Sequence, residues 1–412
     1  MTEKMNLTQW LDYITGIHVK RIDMGLGRVR QLMDRLCAPD ESDKKQPFKK
    51  PFVITVAGTN GKGSLVYALN QLLLDSGLQV AAYTSPHLYR FNERMLINGK
   101  MVSNDSLCQA FAAIEALRGD IVLSFFEFTT LAAFWLFRRY PLDLWILEVG
   151  LGGRLDAVNV IDPDIGVICS IDMDHQAWLG DNLPDIALEK SGIARANRPI
   201  IIFEKFPDKA LNYLNKLGAQ LHYPQPIPVL EAALDQHLGL QTLAQLAAVK
   251  QLLPWKIDDQ QTIASMQKLR IPARKQYIQF YHREWLLDTA HNPAASRHLK
   301  DYVEHHFPDK TLYLIFACLA DKDIEQIIDV WCDTARHWYL IDLEEHHRAI
   351  PKTQLLYQFT QKQQPFSLTA YSALDKRWQT FVRHLPQDGL IVVFGSFIHL
   401  GLIWHRLEGG GL

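Results

Sequence analysis

A chain of 412 residues with 48% hydrophobic and 21% charged side chains has the make-up of an ordinary soluble globular protein, long enough for two or three domains. Its formal charge of −2, with no lysine- or arginine-rich block, excludes a general nucleic-acid or membrane-surface binder. Five scattered cysteines (Cys37, Cys108, Cys169, Cys318, Cys332) without a C-x-x-C pair fit reduced thiols and argue against a disulfide framework or a thiolate metal site.

Met1-Thr2-Glu3-Lys4-Met5 lacks a basic stretch leading into an apolar core, and no apolar segment approaches the roughly 18–20 residues that span a bilayer, so the expected location is cytoplasmic. Pro39–Pro51 reads as a charged surface loop. The apolar stretch from Phe52 then runs into Val56–Ser64, with Gly58, Thr59, Asn60, Gly61, Lys62, Gly63 and Ser64, and on into an apolar helix over Leu65–Leu74. Strand, glycine loop and helix in that order aim backbone N–H groups and the helix's positive end at one spot, where polyphosphate oxygens can sit. Lys62 would meet the β/γ-phosphates and the Ser64 hydroxyl would ligate Mg²⁺. The spacing is tighter than the common G-x-x-x-x-G-K-[ST] and carries one inserted glycine, so a bare tight turn is the competing reading.

A strand is expected over Gln79–Tyr83, followed by the loop Thr84-Ser85-Pro86-His87-Leu88. Helices are expected over Asp105–Leu117, Phe128–Arg139 and Leu183–Ile193, and strands over Leu142–Val149, Ile165–Ile171 and Pro199–Phe203. This alternation predicts a doubly wound α/β sheet whose ligands gather at the carboxyl ends of its strands. Glu148 closes one strand next to Gly150–Asp156, and Asp174-His175 follows another. If the two strands are neighbours, a carboxylate and an imidazole stand at one sheet edge, where a nucleotide's Mg²⁺ needs ligands. Taken singly, each of these residues also reads as an ordinary loop acceptor or surface group. Lys190 is open between a solvated helix lysine and a neutral amine that reacts with CO₂ to form a carbamate.

Helices are expected from Thr242 to Leu253 and from Gln260 to Leu269, then a polar hinge over Arg270–Lys275. A second, smaller α/β domain begins near residue 271, with strands over Trp285–Leu287, Leu312–Ala317, Trp338–Ile341 and Leu390–Phe394 and helices over Ala294–His305 and Ile324–Trp331. Within it, Asp288-Thr289-Ala290-His291-Asn292-Pro293 places an acid, an imidazole and an amide in a strand-to-helix turn, where the plain alternative is a helix cap. Arg274 at the hinge reads as a phosphate clamp or a solvated charge.

Val56–Ser64, Thr84–Leu88 with Asn92-Glu93-Arg94, Phe126-Glu127-Phe128, Leu147–Asn159, Asp174-His175, Glu189–Gly192 and Asp288–Pro293 together resemble the folylpolyglutamate synthase/dihydrofolate synthase family, most of all its bacterial bifunctional form. The likeness extends to Ile22–Leu26 and Asp321–Ile324 and so spans nearly the whole chain. It implies an N-terminal P-loop-type Mg-ATPase domain (residues 1–270) with a pterin/folate pocket, and a C-terminal α/β domain (271–412) that completes the ATP and glutamate sites in the cleft between them. The implied reaction is ATP-dependent amide ligation of L-glutamate to dihydropteroate and to reduced folates through an acyl phosphate.

By the same resemblance the glycine loop and Lys62 bind ATP phosphates, and Ser64, Glu148 and His175 hold Mg²⁺, two ions in all. Lys190 falls where the family carries a carbamylated lysine; Arg274, Asp288 and His291 complete the ATP and glutamate sites. Thr84, Ser85, Pro86, His87, Phe126 and Asp156 contact the pterin substrate. A monomer is expected, with no nucleic-acid or membrane partner. Two departures stand out. Residues Phe203–Leu240 form a shorter connection than is usual, implying a trimmed side sheet and leaving Gln241 where an asparagine is common; Ala273-Arg274 replaces the usual Gly-Arg. A muramyl-peptide-type ligase, which usually carries a further N-terminal domain, and a nucleotide-dependent switch are the competing functions.

Overall fold

The computed structural model describes residues 5–18, 25–38, 50–230, 238–343, 346 and 348–408. Ile22–Met24 of the N-terminal motif and residues 39–49 of the charged loop lie outside the described residues. The backbone divides into two compact units: residues up to His87 together with Phe91–Leu269, and Leu88–Arg90 together with Arg270–Leu412.

In chain order the first unit contains α1 (Leu7–Ile17), α2 (Gly27–Cys37), β1 (Phe52–Ala57), α3 (Lys62–Asp75), β2 (Val80–Tyr83), β3 (Met95–Ile97), β4 (Lys100–Met101), α4 (Asn104–Arg118), α5 (Phe125–Phe137) and β5 (Leu144–Glu148). It continues with β6 (Ile165–Ile168), α6 (Gln176–Leu179), α7 (Leu183–Ser191), β7 (Pro199–Ile201), α8 (Asp208–Leu217), β8 (Gln220–His222), α9 (Leu240–Leu252) and α10 (Asp259–Lys268). The strands form one sheet in the order β4-β3-β2-β5-β1-β6-β7-β8. From β2 to β8 the pairing is parallel, as expected for apolar runs covered on both faces. The β3–β4 hairpin adds an antiparallel edge; its turn, Asn98-Gly99, has φ of 49° and 74°, the conformation Asn-Gly favours.

Several expected bounds shift, β6 ending at Ile168 and β7 at Ile201, and two differences bear on the site. The α5 helix starts at Phe125 because Ser124 forms a capping box: its hydroxyl accepts from Glu127 N, and the Glu127 carboxylate accepts from Ser124 N at 2.7 Å. The strands that end near Glu148 and Asp174 are not neighbours, since β1 runs between β5 and β6. The core packs Trp10, Phe111, Phe128, Phe134, Phe137 and Trp145, with Phe134 stacked on Trp145 at 5.6 Å.

The second unit contains β9 (Gln276–Phe280), β10 (Arg283–Leu287), α11 (Pro293–His306), β11 (Leu312–Phe316), α12 (Ile324–Trp331), β12 (Ala335–Asp342), α13 (Lys352–Gln361), β13 (Phe366–Ala370), α14 (Tyr371–Lys376), α15 (Trp378–His384), β14 (Leu390–Phe394) and α16 (Phe397–Glu408). Its sheet order is β13-β12-β11-β14-β10-β9, parallel except for the β9–β10 hairpin. Strand alternation sends Leu286, Leu314 and Val392 into one core and Trp285, Leu287, Ile315 and Val393 into another, so both faces are covered. No helix among the described residues is long and apolar enough to cross a membrane.

Candidate active site

Four residues, Gly58–Gly61, join β1 to α3. Gly58 has φ of 148° and Gly61 of 86°, and a Cβ on Gly58 would stand 2.9 Å from the Cys169 Cβ, so this turn requires glycine twice over. The segment leaving β6 clamps the loop. Thr59 N donates to Ser170 O (2.8 Å), Asn60 N to Ser170 Oγ (2.9 Å), Asn60 Nδ2 to Asp172 Oδ2 (3.2 Å) and Asp172 N to Thr59 Oγ1 (3.1 Å). The N-cap of α3 is Gly61, which offers no capping side chain, so the helix's first N–H donors and positive end favour an anion. Lys62 curls back, its Nζ donating to Gly58 O (2.9 Å) and Thr59 O (3.2 Å). Gly63 and Ser64 follow in the first turn of α3, half-buried.

Glu148 ends β5 opposite Val56 of β1 and is buried. Its Oε2 accepts from Ser85 N at 3.2 Å, which brings the Thr84–His87 loop alongside. Thr84 in turn donates its N–H to Arg94 O at 2.9 Å, and the Ser85–Pro86 bond is cis. On the other side of β1, beyond β6, His175 holds φ of 53°, and its N–H donates to Asp174 Oδ1 at 2.9 Å. The glycine loop therefore lies between the two strand exits, and the condition that the sequence reading set, neighbouring strands, is not met.

Lys190 is 4% exposed, which rules out the solvated-lysine reading. Its Nζ donates at 3.1 Å to Gly58 O, the carbonyl that Lys62 also uses. Burial and then the Lys62 charge pull its pKa down to about 7, with Asp174, Cys169 and Asp156 opposing. Close backbone approach puts it there: a Cβ on Gly153 would sit 2.9 Å from the Glu189 and Lys190 carbonyls, and one on Gly192 would sit 2.3 Å from the Arg154 Cβ. Arg154 N donates to Glu189 O at 2.8 Å, and Asn159 Nδ2 to Gly192 O at 3.0 Å.

Asp156 spends its carboxylate on its own turn, accepting from Leu151 N (2.9 Å) and Val158 N (3.0 Å). Burial pushes it up to about 6 against those backbone donors. Phe126, the second residue of α5, packs its ring 5.9 Å from Tyr83 and against Gly150, where a Cβ would come within 2.6 Å of it.

In the second unit Asp288 leaves β10, its Oδ2 accepting from Lys275 N (2.9 Å) and its Oδ1 from Ala290 N (2.8 Å). The His291 Nδ1 lies 2.9 Å from Thr289 O; a carbonyl only accepts, so Nδ1 carries the proton. Helix capping falls to Asn292, which accepts from Ala295 N, with Pro293 in the first turn. Half-buried Arg274 stands between Ala273 and Lys275, whose φ values are 51° and 46°. An L-residue at the first of these positions carries about 1–2 kcal/mol of strain that a glycine would avoid.

Ser170, Asp172 and Arg28 escaped the sequence reading, and Arg94 was read there only as part of a motif, with no role. Arg28 donates its Nε (3.1 Å) and a terminal nitrogen (3.0 Å) to Glu127 Oε1 at the start of α5. Only the Ser124–Glu127 box had a readable spacing; the Asp172–Thr59 and Arg28–Glu127 partners are 113 and 99 residues apart.

A family model described as "Mur ligase, glutamate ligase domain" matches residues 273–397. The dihydrofolate synthase/folylpolyglutamate synthase of Escherichia coli K12 is 32% identical over 95% of this chain and 93% of its own length. That of Haemophilus influenzae is 31% identical over 98% of each chain. Among solved structures, E. coli FolC in complex with DHPP and ADP superposes with a TM-score of 0.86 at 29% identity, covering 99% of both chains. A bifunctional folylpolyglutamate synthase/dihydrofolate synthase with Mn, AMPPNP and L-glutamate bound gives 0.83 at 30% identity, covering 99% of this chain and 100% of that one. With this sequence likeness over nearly the full length, this fold and this arrangement of loop, carboxylate and lysine, the chain belongs to the dihydrofolate synthase/folylpolyglutamate synthase family.

Proposed function

We propose that this chain is an ATP-dependent ligase that joins L-glutamate to dihydropteroate and then to reduced folates. The carrying observation is the meeting, at one end of the first sheet, of an uncapped helix start, Lys62, buried Glu148 and buried Lys190. Relatives that match over nearly the whole length carry folate-ligase names, which favours this reading over a muramyl-peptide-type ligase or a nucleotide switch.

The substrate carboxylate attacks the γ-phosphorus of ATP and ADP leaves; the glutamate amine then attacks the acyl carbon, and phosphate leaves as the amide forms. Negative charge grows first on the phosphoryl group and then on the acyl oxygen, so fixed donors and cations supply most of the rate enhancement. The start of α3 and Lys62 would hold the polyphosphate. Ser64, Glu148 and His175 would hold Mg²⁺, two ions in all; a buried carboxylate at the end of β5, a hydroxyl in the first turn of an uncapped helix and an imidazole on the segment that leaves β6 are donors that suit that ion. When bound, Mg²⁺ would neutralise phosphate charge.

Lys190, whose ammonium sheds its proton near neutrality, would as the neutral amine attack the carbon of CO₂ and release a second proton from its nitrogen, giving a carbamate that would add a further oxygen ligand. Thr84–His87, Phe126 and Asp156 would serve the pterin acid within residues 1–270. Arg274, Asp288 and His291, within residues 271–412, would serve ATP and glutamate. A cytoplasmic monomer is the proposed working form.

The test incubates purified protein with ATP, Mg²⁺, L-glutamate and either dihydropteroate or a reduced folate, and weighs the products. A gain of one glutamyl unit with ADP formation is expected. Phosphate release that needs neither acid nor glutamate would overturn the proposal. Lys62→Ala should lower turnover by about two to three orders of magnitude, the scale of one lost preorganised contact.

A further inference from the structure

Arg94 closes the short turn Phe91–Arg94 and is buried. Its Nε lies 2.9 Å from Nδ1 of His87. The guanidinium carbon sits 5.4 Å from the centre of the Phe91 ring and 5.8 Å from that of Phe125. The His87 ring packs edge-on against the same Phe91 at 5.8 Å. Main-chain bonds tie the two segments together as well: Thr84 N donates to Arg94 O (2.9 Å) and Thr84 Oγ1 to Glu93 O (3.3 Å).

A guanidinium has donors and no acceptor, so the His87 Nδ1 facing it must present a lone pair. The proton of the neutral ring is then on Nε2. Neutrality itself is secured by burial and by the Arg94 charge, which together lower the imidazole's pKa to about 3. Arg94 is held in place by two aromatic faces and by the pull of Tyr83 and Glu148 on its charge, even though burial works against that charge.

We infer that Arg94 is a positioning residue that locks His87 in the Nε2–H tautomer, so that His87 serves the acid substrate as a hydrogen-bond donor to an acceptor oxygen. Within this lock the ring neither takes a proton from the substrate nor offers Nδ1 as a ligand. The identity of the acceptor rests on the ligase reading; the tautomer does not.

Two measurements on the full chain test this. In protein labelled with ¹⁵N-histidine, long-range proton–nitrogen correlation spectra report which ring nitrogen carries hydrogen, and the His87 signals are assigned by their loss in His87→Gln. The expected pattern is an unprotonated Nδ1 and a protonated Nε2 for His87. Arg94→Met should erase the fixed pattern, and Arg94→Lys, which keeps a donor, should restore it. A protonated Nδ1, or a pattern indifferent to Arg94→Met, overturns the inference.

In the glutamate-ligation assay, His87→Ala and Arg94→Met should each raise KM for the acid substrate about 10- to 100-fold, as for a lost hydrogen bond, with KM for ATP little changed. The double variant should add little to either single one, because the two residues act as a unit. Unchanged KM for the acid in both single variants also overturns it. If the tautomer pattern holds while no acid is ligated at all, the ligase reading fails and the lock stands.

Discussion

Two lysine side chains share one carbonyl: Lys62 and Lys190 both donate to Gly58 O, at 2.9 and 3.1 Å. Two ammonium groups on one oxygen repel strongly where water is scarce, and the more deeply buried amine yields its proton. Lys190 has a pKa of about 7 when folded against 10.5 as the ordinary value. Between these pH values the unfolded chain binds the proton that the folded chain has lost, so this residue makes stability rise with pH across that window. Below the window both states are protonated and the cost of burying the charge is carried in full. Replacing Lys190 with Met should flatten that part of the stability profile, measured as urea midpoints at several pH values; an unchanged slope would show that the amine stays charged. Lys190→Ala should also cut ligation by about two orders of magnitude. Full-speed ligation by that variant would end the carbamate-ligand proposal.

At the scale of elements, the site depends on how tightly the Gly150–Asp156 turn beds against the end of α7. Gly192 is at φ −64°, which alanine tolerates, so the demand there is for space: a Cβ would meet the Arg154 Cβ at 2.3 Å and Cα at 2.5 Å. Gly192→Ala should therefore destabilise by about 1–3 kcal/mol as overpacking. It should also lower ligation beyond that loss, because the displaced end of α7 carries Lys190; thermal melts and turnover checked together decide it. Much of this architecture was legible in the chain. Long apolar runs such as Leu142–Val149, broken only by Asp143 and Glu148, announce buried parallel strands, and the glycine loop announces itself by composition. Short or half-exposed elements did not: β3 is apolar and buried but only three residues long, and β4, β8, β9 and β13 are two to five residues of mixed polarity, which carry too little period-2 signal. Of the site, the residues at strand ends were readable, while Ser170, Asp172 and Arg94 act through contacts that no local spacing encodes. The Ala273 departure was visible as a missing glycine, but its meaning, an alanine at φ 51°, needed the backbone.

At the scale of the whole molecule, the chain passes from one unit to the other at three places: after His87, after Arg90 and after Leu269. The tripeptide Leu88–Arg90 belongs to the second unit although the rest of that unit begins only at Arg270. Leu88 packs against the core that holds Trp285 and Leu287. Its carbonyl fills a notch in α16 at Gly401, where a Cβ would come within 1.9 Å of Leu88 O. Tyr89 stacks on His405 of the same helix, with ring centres 3.9 Å apart and planes at 12°. These two contacts differ in what they are worth. The notch is set by backbone, so Gly401→Ala forces the helix or the tripeptide to move, at about 1–3 kcal/mol. The stacked pair is at the surface, with Tyr89 40% exposed, and Tyr89→Ala should lose only about 0.5–1.5 kcal/mol. A chain of two units can melt in two steps, and the step that moves should be the second unit's. Calorimetry of the full chain reads both variants. If Gly401→Ala leaves the melting profile unmoved, or Tyr89→Ala shifts it further than Gly401→Ala does, then Leu88–Arg90 rests on the second unit without being part of its packing.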